Sequence, residues 1–547
     1  MIRAIFTLSL SFFISSMALY AQEQTSENQG RLSGSVDATG NFFIRDTAIG
    51  AFNIPQYDYQ KFGAQSWFNL NYSNYGFDMG IRFDLFNNSN LLVPTQSYTA
   101  QGIGNWYIKK NVNKFNFAAG YIYDQIGSGI IFRAFEERPL AIDNALYGVR
   151  VGYQPVKDIN IKAFSGKQKQ QFDSYGSVIK GISVDGFFSL GDSLKPWTFS
   201  PGFGVVGRTF DKPSIDQMVS SISTYTVADS LVPQYNTYAF SAFNTLNAGP
   251  FTWYIEGAYK STDVFFNPFA ERTLSTGDIA FGKLQNKPGN VVYSSLSYAA
   301  KGIGISVEGK RTENFTFRTN PFVALNRGTI NFLPPMSRQN TYRLSARYNA
   351  ATQELGEEAF QVEMRYKPIK KLEILANFSN IQTLEKVKLY REVLAEFTYK
   401  EKHYSAILGF QHQEYNQEIY EVKPLVPIVQ TITVYTDFLY KFSKKRSIRA
   451  ELQHMLTKQD YGSWWYGLVE LSAAPHWVLT VADMYNYHPK KTAKALHYPT
   501  VSLAYTYHST RLTLSYVKQV EGVVCTGGIC RLEPAFSGVR MTVNSTF

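Results

Sequence analysis

Few residues of this 547-residue chain are of the kinds, and at the spacings, that do covalent chemistry. Its only cysteines, Cys525 and Cys530, are separated by Thr526, Gly527, Gly528 and Ile529. The two glycines allow a tight reversal, and in an oxidising compartment such a pair reads as a disulfide stapling a hairpin. A metal site is the weaker reading, because no histidine lies nearby, and a redox pair would prefer two intervening residues. All seven histidines fall in the last third. His403, His476 and His508 sit at short turns, His488 and His497 flank residues 489–496, and His412 and His454 share the apolar phase of alternating stretches. No nucleophile elbow, HExxH motif or paired-acid spacing accompanies them. The expectation is a non-enzyme with no metal centre and no cofactor.

One charged segment stands apart. Residues 124–144 carry Arg133, Glu136, Glu137, Arg138 and Asp143 beside Ile130, Ile131, Phe132 and Phe135. A long loop that mixes apolar side chains with both charge signs can fold into a barrel and form a constriction, where opposed charges set a transverse field. The alternative is a solvent-exposed loop held by Arg–Glu pairs, which leaves the four apolar side chains without a dry place to sit.

The elements that must position these residues follow from composition. Hydrophobic residues make up 44% of the chain and aromatics 16%, yet only 18% are charged, against about 25% in a soluble domain. Mean hydropathy is only −0.21, so apolar and polar residues are finely interleaved, as in a half-exposed sheet. Beyond the N-terminus no run approaches the roughly 18 apolar residues of a membrane helix. Residues 1–21 read as a secretory signal peptide: Met1, Ile2 and Arg3, then an apolar run, then a small residue for cleavage at Ala21. Residues 22–547 follow as one unit.

Alternation recurs throughout that unit. Phe77, Met79, Ile81, Phe83 and Leu85 share one face, and Asp78, Gly80, Arg82 and Asp84 the other. Tyr342, Leu344, Ala346 and Tyr348 alternate with Arg343, Ser345 and Arg347, and Leu512, Leu514 and Tyr516 with Arg511, Thr513 and Ser515. Short polar turns, as at residues 74–76, 155–158, 369–371 and 444–446, separate long links at residues 124–145, 211–237, 262–289 and 313–339. That asymmetry is the pattern of a transmembrane antiparallel β-barrel with periplasmic turns and extracellular loops. About 10 residues per strand predict 22–26 strands. Direct segmentation gives thirteen strands up to Ile303 to Glu313 and twelve from Thr341 onward. The odd sum, against the even number such barrels require, points to residues 314–340 as a missed strand or an inserted loop. Trp464, Trp465, Tyr466, Trp253, Tyr254 and Trp477 read as aromatic girdles or as stacking platforms for sugars in the lumen, and phase does not separate the two where aromatics are consecutive.

The lumen-facing phase then carries Arg82, Arg150, Lys162, Lys310, Arg343, Arg347, Arg365, Lys367, Arg449, Arg511 and Arg540, against Asp78, Asp84, Glu308, Glu363 and Glu451. Such an excess favours anionic solutes or an anionic partner segment, unless the charges pair across the lumen. Nucleic acid is a poor match, because the basic residues are spread over many strands.

The last residues, Val539, Met541, Val543, Ser545 and Phe547 alternating with Arg540, Thr542, Asn544 and Thr546, resemble the C-terminal insertion signal of bacterial outer-membrane proteins. Gly127, Ser128 and Gly129 with residues 135–144, then residues 330–335, then the Cys525 to Cys530 hairpin with Pro534, Gly538 and Phe547, together resemble a Bacteroidota family of outer-membrane barrels catalogued only as a domain of unknown function. The resemblance implies a fold and a Gram-negative outer-membrane location after Sec export, with outer-membrane lipids and the insertion machinery as partners, but no substrate. The N-terminal plug and energy-coupling box of TonB-dependent transporters are missing from the sequence. The expected function is a porin-like pore or passive channel. The alternative is an accessory barrel of a secretion or surface-protein assembly complex, with another outer-membrane protein as partner.

Overall fold

The computed structural model describes residues 30–547 except 192–196, 324–326 and 527–528, and leaves the side chains of residues 523–530 undescribed. The expected signal peptide, residues 1–21, lies outside the described residues. Twenty-four strands form one antiparallel closed barrel. Each strand pairs with its sequence neighbours, and the first, Arg31–Phe43, closes the wall against the last, Phe536–Thr546. The seam ends in a reciprocal backbone pair: the Gly34 amide donates to the Phe547 carbonyl at 2.8 Å, and the Phe547 amide donates back at 3.0 Å. Closure leaves no unpaired sheet edge, the condition for a sheet in lipid.

Strand chemistry is inverted relative to a soluble protein. In Val429–Lys441 the outward phase is Gln430, Ile432, Val434, Thr436, Phe438 and Tyr440, all exposed and mostly apolar, whereas Thr431, Thr433, Tyr435 and Asp437 are buried toward the inside. The β-branched and aromatic residues favour extended backbone. Exposure of their apolar members is costly in water and favourable in hydrocarbon. Among the described residues no helix is long and apolar enough to cross a membrane.

Turns of two to four residues connect the strands at most positions of one rim, for example at residues 75–76, 157–158 and 301–302, while the opposite rim carries longer links. Residues 211–237 are the expected long link, which contains the helix Lys212–Ile222. Two expectations are corrected here. Residues 262–289 are not a long loop: Phe251–Thr273 and Ile279–Ala300 form one long hairpin that reaches beyond the rim. The alternating residues 342–348 are no strand; together with residues 314–340 they belong to one inserted segment between Ile303–Glu313 and Gly356–Ile369. Removing that apparent strand leaves thirteen and eleven, an even total.

Candidate functional site

Two segments from the long-loop rim enter the barrel interior. The first spans residues 123–145. Gly127 and Gly129 adopt positive φ, which glycine tolerates, and a Cβ at Gly127 would meet the Glu256 carboxylate at 2.7 Å. This bend brings the Ser128 amide and hydroxyl to Glu256 at 2.9 and 2.6 Å, where the Ser241 and Tyr254 hydroxyls also donate. Four donors satisfy a carboxylate that is fully buried. Ile126, Ile130, Ile131, Phe132 and Leu140 are buried in the same turn of chain.

The second segment, residues 314–355, is longer and almost free of regular structure. Phe315, Phe317, Ile330, Met336, Leu344 and Tyr348 are buried. The two segments meet backbone to backbone: the Arg133 amide donates to Ile330 and the Phe332 amide to Gly129, each at 2.9 Å. The Arg133 guanidinium lies between the Phe135 and Phe332 rings, 4.6 and 4.2 Å from their centroids, a cation–π clasp.

Polar side chains of the wall hold both segments. Arg82 donates to Asp84 on its own strand at 2.6 Å and crosses to Glu136 at 2.7 Å and Asp143 at 2.8 Å. Lys169 also pairs with Asp143, and Arg138 bridges Glu136 and Asp37. Burial pushes the Asp143 carboxyl up, but Lys169 and Arg82 outweigh it and hold the group below the ordinary aspartate range. Across the barrel, Gln453 accepts the Leu344 amide at 2.7 Å, Gln411 and Gln413 donate to the Ser345 carbonyl, and Asn340 donates to Glu392 at 2.8 Å. Tyr348 donates to Asp460 at 2.8 Å, and the Tyr342 ring packs at a tilt on Tyr435, centroids 4.1 Å apart. At the long-loop rim, Arg208 and Lys260 share Asp263 at 2.6 and 2.9 Å, and Lys310 pairs with Glu357 at 2.7 Å.

The obstruction occupies one half of the barrel. Along Gly356–Ile369 the inward phase runs from Glu357 and Ala359, both buried, through Gln361 and Glu363 to Arg365 and Lys367, which are exposed at the short-turn end. Arg446–Leu456 shows the same gradient: Gln453 and Met455 are buried beside the inserted segments, and Ser447 and Arg449 are half-exposed. The interior is thus a vestibule open at the short-turn rim and stopped toward the other.

The remaining sequence-expected site residues divide as follows. Arg133, Glu136, Arg138 and Asp143 lie inside the barrel on the first segment, in the contacts above; Glu137 neighbours them, half-buried. Arg150 and Lys162 both pair with Asp124, at 3.1 and 2.6 Å. Arg365 and Lys367 pair with Glu363 and Glu373, and Arg449 with Asp437 and Glu451. Arg540 donates to Asn41 at 2.9 Å, and Arg511 is exposed beside the turn at residues 508–509. Arg343 and Arg347 are corrected: they are not wall charges but belong to the inserted segment, where Arg347 lies over the Trp464 ring at 4.9 Å. The expected basic field is largely compensated by these pairings. Glu256, Glu392, Asp437 and Asp460 are the site residues that sequence reasoning missed; for the first three, an acid on the inward phase of a strand, as in Trp253, Tyr254, Ile255 and Glu256, was the available signal. Strand phase also divides the aromatic clusters: Trp253, Trp465 and Trp477 are exposed on the outward phase, and Trp464 is fully buried. The side chains of Cys525 and Cys530 lie outside the described residues, but the hairpin Gly522–Thr526 with Ile529–Glu533 sets the two residues opposite one another.

The model of DUF6029, a family of unknown function, matches residues 1–547. The chain belongs to this family. No curated protein matches it. Among solved structures it is similar to the translocation pore of the P pilus usher PapC, with 9% identity, 95% of this chain and 99% of that one covered, and a TM-score of 0.45. The siderophore receptor PirA from Pseudomonas aeruginosa matches at 9% identity over 96% and 81% of the two chains, TM-score 0.40. The copper transporter OprC matches at 8% identity over the same shares, TM-score 0.40.

Proposed function

We propose that this DUF6029 protein is an outer-membrane barrel that works as a gated conduit, closed at rest by its own two inserted segments and fed from the vestibule at the short-turn rim. The observation that carries the reading is the asymmetric interior: a stopper fixed by buried hydrogen bonds and ion pairs on one side, and exposed inward-facing polar residues on the other. The polar contacts of the stopper can be exchanged for water when it is displaced, whereas its buried Ile126, Ile130, Ile131, Phe132, Phe315 and Phe317 share one apolar cluster with the wall and make release costly. A continuously open porin does not fit the blocked half. The outward apolar phase of the wall supports the membrane location.

Planar-bilayer recording tests this. Glu313 and Gly356 are register partners, so residues 316–353 can be replaced by a short Gly-Ser turn without separating their strands. The wild-type barrel is expected to be silent or to flicker, and the shortened one to give steady large conductance steps. Steady conductance from the wild type, or silence from an inserted shortened barrel, overturns the gate.

One feature favours the accessory-barrel reading. The long hairpin Phe251–Thr273 with Ile279–Ala300 carries Ile279 and Phe281, each 70% exposed. The loop holding the nearly bare Val227 packs against it through Asp229, which accepts the Thr273 amide at 2.8 Å and pairs with Lys283. Silence from both barrels, with a second outer-membrane protein retained through this tip, would favour that reading.

A further inference from the structure

The short-turn rim is unevenly charged. Its links at residues 75–76, 113–114, 157–158, 249–250, 301–302, 474–476 and 508–509 hold at most one lysine each and no arginine. Three consecutive links depart from this. Residues 370–371 are both lysine, residues 401–403 include Lys402, and residues 442–445 end in Lys444 and Lys445, with Arg446 next. The three lie side by side: the Lys400 amide donates to the Lys371 carbonyl at 2.8 Å, and the Lys441 amide to the His403 carbonyl at 2.7 Å. Two strands separate each link from the next, roughly 10 Å along the rim, so the cations form one arc. Lys370, Lys402, Lys444, Lys445 and Arg446 are exposed, and none has an ion-pair partner among the described residues. The nearby acids are engaged by other lysines, Glu401 by Lys371 at 2.5 Å and Glu373 by Lys367 at 3.0 Å. Lys400 and Lys441 are on the inward phase of their strands and belong to the vestibule mouth. Beside the arc the outward phase ends in Tyr366, Tyr404 and Tyr440, all exposed, with Phe442 edge-on to Tyr440 at 5.1 Å. Such rings mark the level where hydrocarbon gives way to headgroups. Lys370, Lys402 and Lys444 follow two to four residues beyond these tyrosines.

We propose that this arc binds the headgroups of anionic phospholipids in the leaflet at the short-turn rim. The inference rests on the outer-membrane reading above. Clustered lysines and arginines just outside the hydrocarbon attract anionic lipid. Its phosphate oxygens are the acceptors that these five side chains lack within the chain, whereas a zwitterionic headgroup brings a cation of its own that competes with them. The strands joined by these links also carry Glu392, Gln411, Gln413 and Gln453, which hold the second inserted segment. The bound lipid therefore grips the half of the wall that anchors the stopper.

The test is native mass spectrometry of the purified barrel in an uncharged detergent, offered equal amounts of phosphatidylglycerol and phosphatidylcholine with matched chains. Phosphatidylglycerol adducts should predominate by at least about five-fold, what a single cation near the surface contributes. The variant K370Q/K402Q/K444Q/K445Q/R446Q should lose that preference while keeping heat-modifiable gel mobility, the sign of a folded wall. K370R/K402R/K444R/K445R, which keeps the charges, should retain it, and so should K114Q/K157Q/K301Q, which removes the lone lysines of other links. Equal adducts of the two lipids, an undiminished preference in the glutamine variant, or its loss in either control variant overturns the arc alone. So does displacement of the lipid by millimolar inorganic phosphate, which would assign the cations to a free anion, or an acidic protein crosslinked from position 402 in native membranes in place of lipid. A barrel that does not enter phospholipid vesicles and is recovered in the soluble fraction would overturn the membrane reading as well.

Discussion

Arg82 reaches from the barrel wall to Asp143 of the first inserted segment, a bond of 2.8 Å made by a guanidinium that is almost fully buried. The same group holds Glu136 and Asp84. One cation thus fixes both the wall and the stopper, and its loss should be felt as movement.

Replacing Arg82 by Leu leaves Asp84, Glu136 and Asp143 facing one another without their central cation. Removing one partner of a buried pair costs about 3–5 kcal/mol. Asp143→Asn is milder, about 1–3 kcal/mol, because Arg82 keeps two acids. Single-channel records should show more frequent openings in the order Arg82→Leu, Asp143→Asn, wild type. Three indistinguishable records would mean that these contacts do not latch the gate.

Acid should act on the same latch. The folded Asp143 carboxyl titrates below its ordinary value of 3.8, so its contribution is complete above that value and disappears as pH falls through the lowered one. Opening frequency should be flat from neutral pH down to about 4 and rise below it. Asp143→Asn should lose the part of that rise due to this group. A rise centred near neutrality would point to another group.

The wall phase is open to a stability test. Leu514 is 52% exposed on the outward face, and the Ser515 hydroxyl bonds Ser502 on the inward one at 2.9 Å. Lys at Leu514 should cost on the order of 2–4 kcal/mol of barrel stability near the bilayer midplane, and Lys at Ser515 much less. Urea unfolding from liposomes would read the difference; equal costs would refute the assigned phase.

The pairing of Cys525 opposite Cys530 suits a cross-strand disulfide. The purified protein should resist maleimide until reduced, and the double Cys→Ser variant should still insert, because so short a loop contributes less than the roughly 3 kcal/mol of a 15-residue one. Free thiols after oxidising purification would reopen the metal and redox readings.

Alternation made the wall legible: residues 77–85 reveal both faces without any structure, because the pleat sends successive side chains to opposite sides. The same signal misled at residues 342–348. Tyr342, Leu344 and Tyr348 are buried, but against Tyr435 and Gln453 of the wall and Asp460 of a rim turn rather than within a strand pair of their own. Periodicity records which side chains are sheltered and is silent on what shelters them. For residues 124–144 the apolar cluster was enough to predict an inward fold, since Ile130, Ile131 and Phe132 had nowhere else to go. The acids receiving those segments, Glu256 and Glu392, could not be found that way, because their partners lie more than a hundred and about fifty residues away in the chain.

The larger stopper is drawn from the middle of the chain, between two strands that are themselves hydrogen-bonded neighbours. Both of its ends are therefore leashed to the same place on the rim. In the gate proposed above it would swing clear of the lumen but could not leave, be lost to dilution, or be replaced by a stopper from another molecule. Its re-entry is a unimolecular event at an effective concentration in the millimolar range typical of short tethers. A conduit of the proposed kind would need no separate factor to shut it: whatever displaced the stopper would have to keep working against it, and the barrel would reseal when that force stopped.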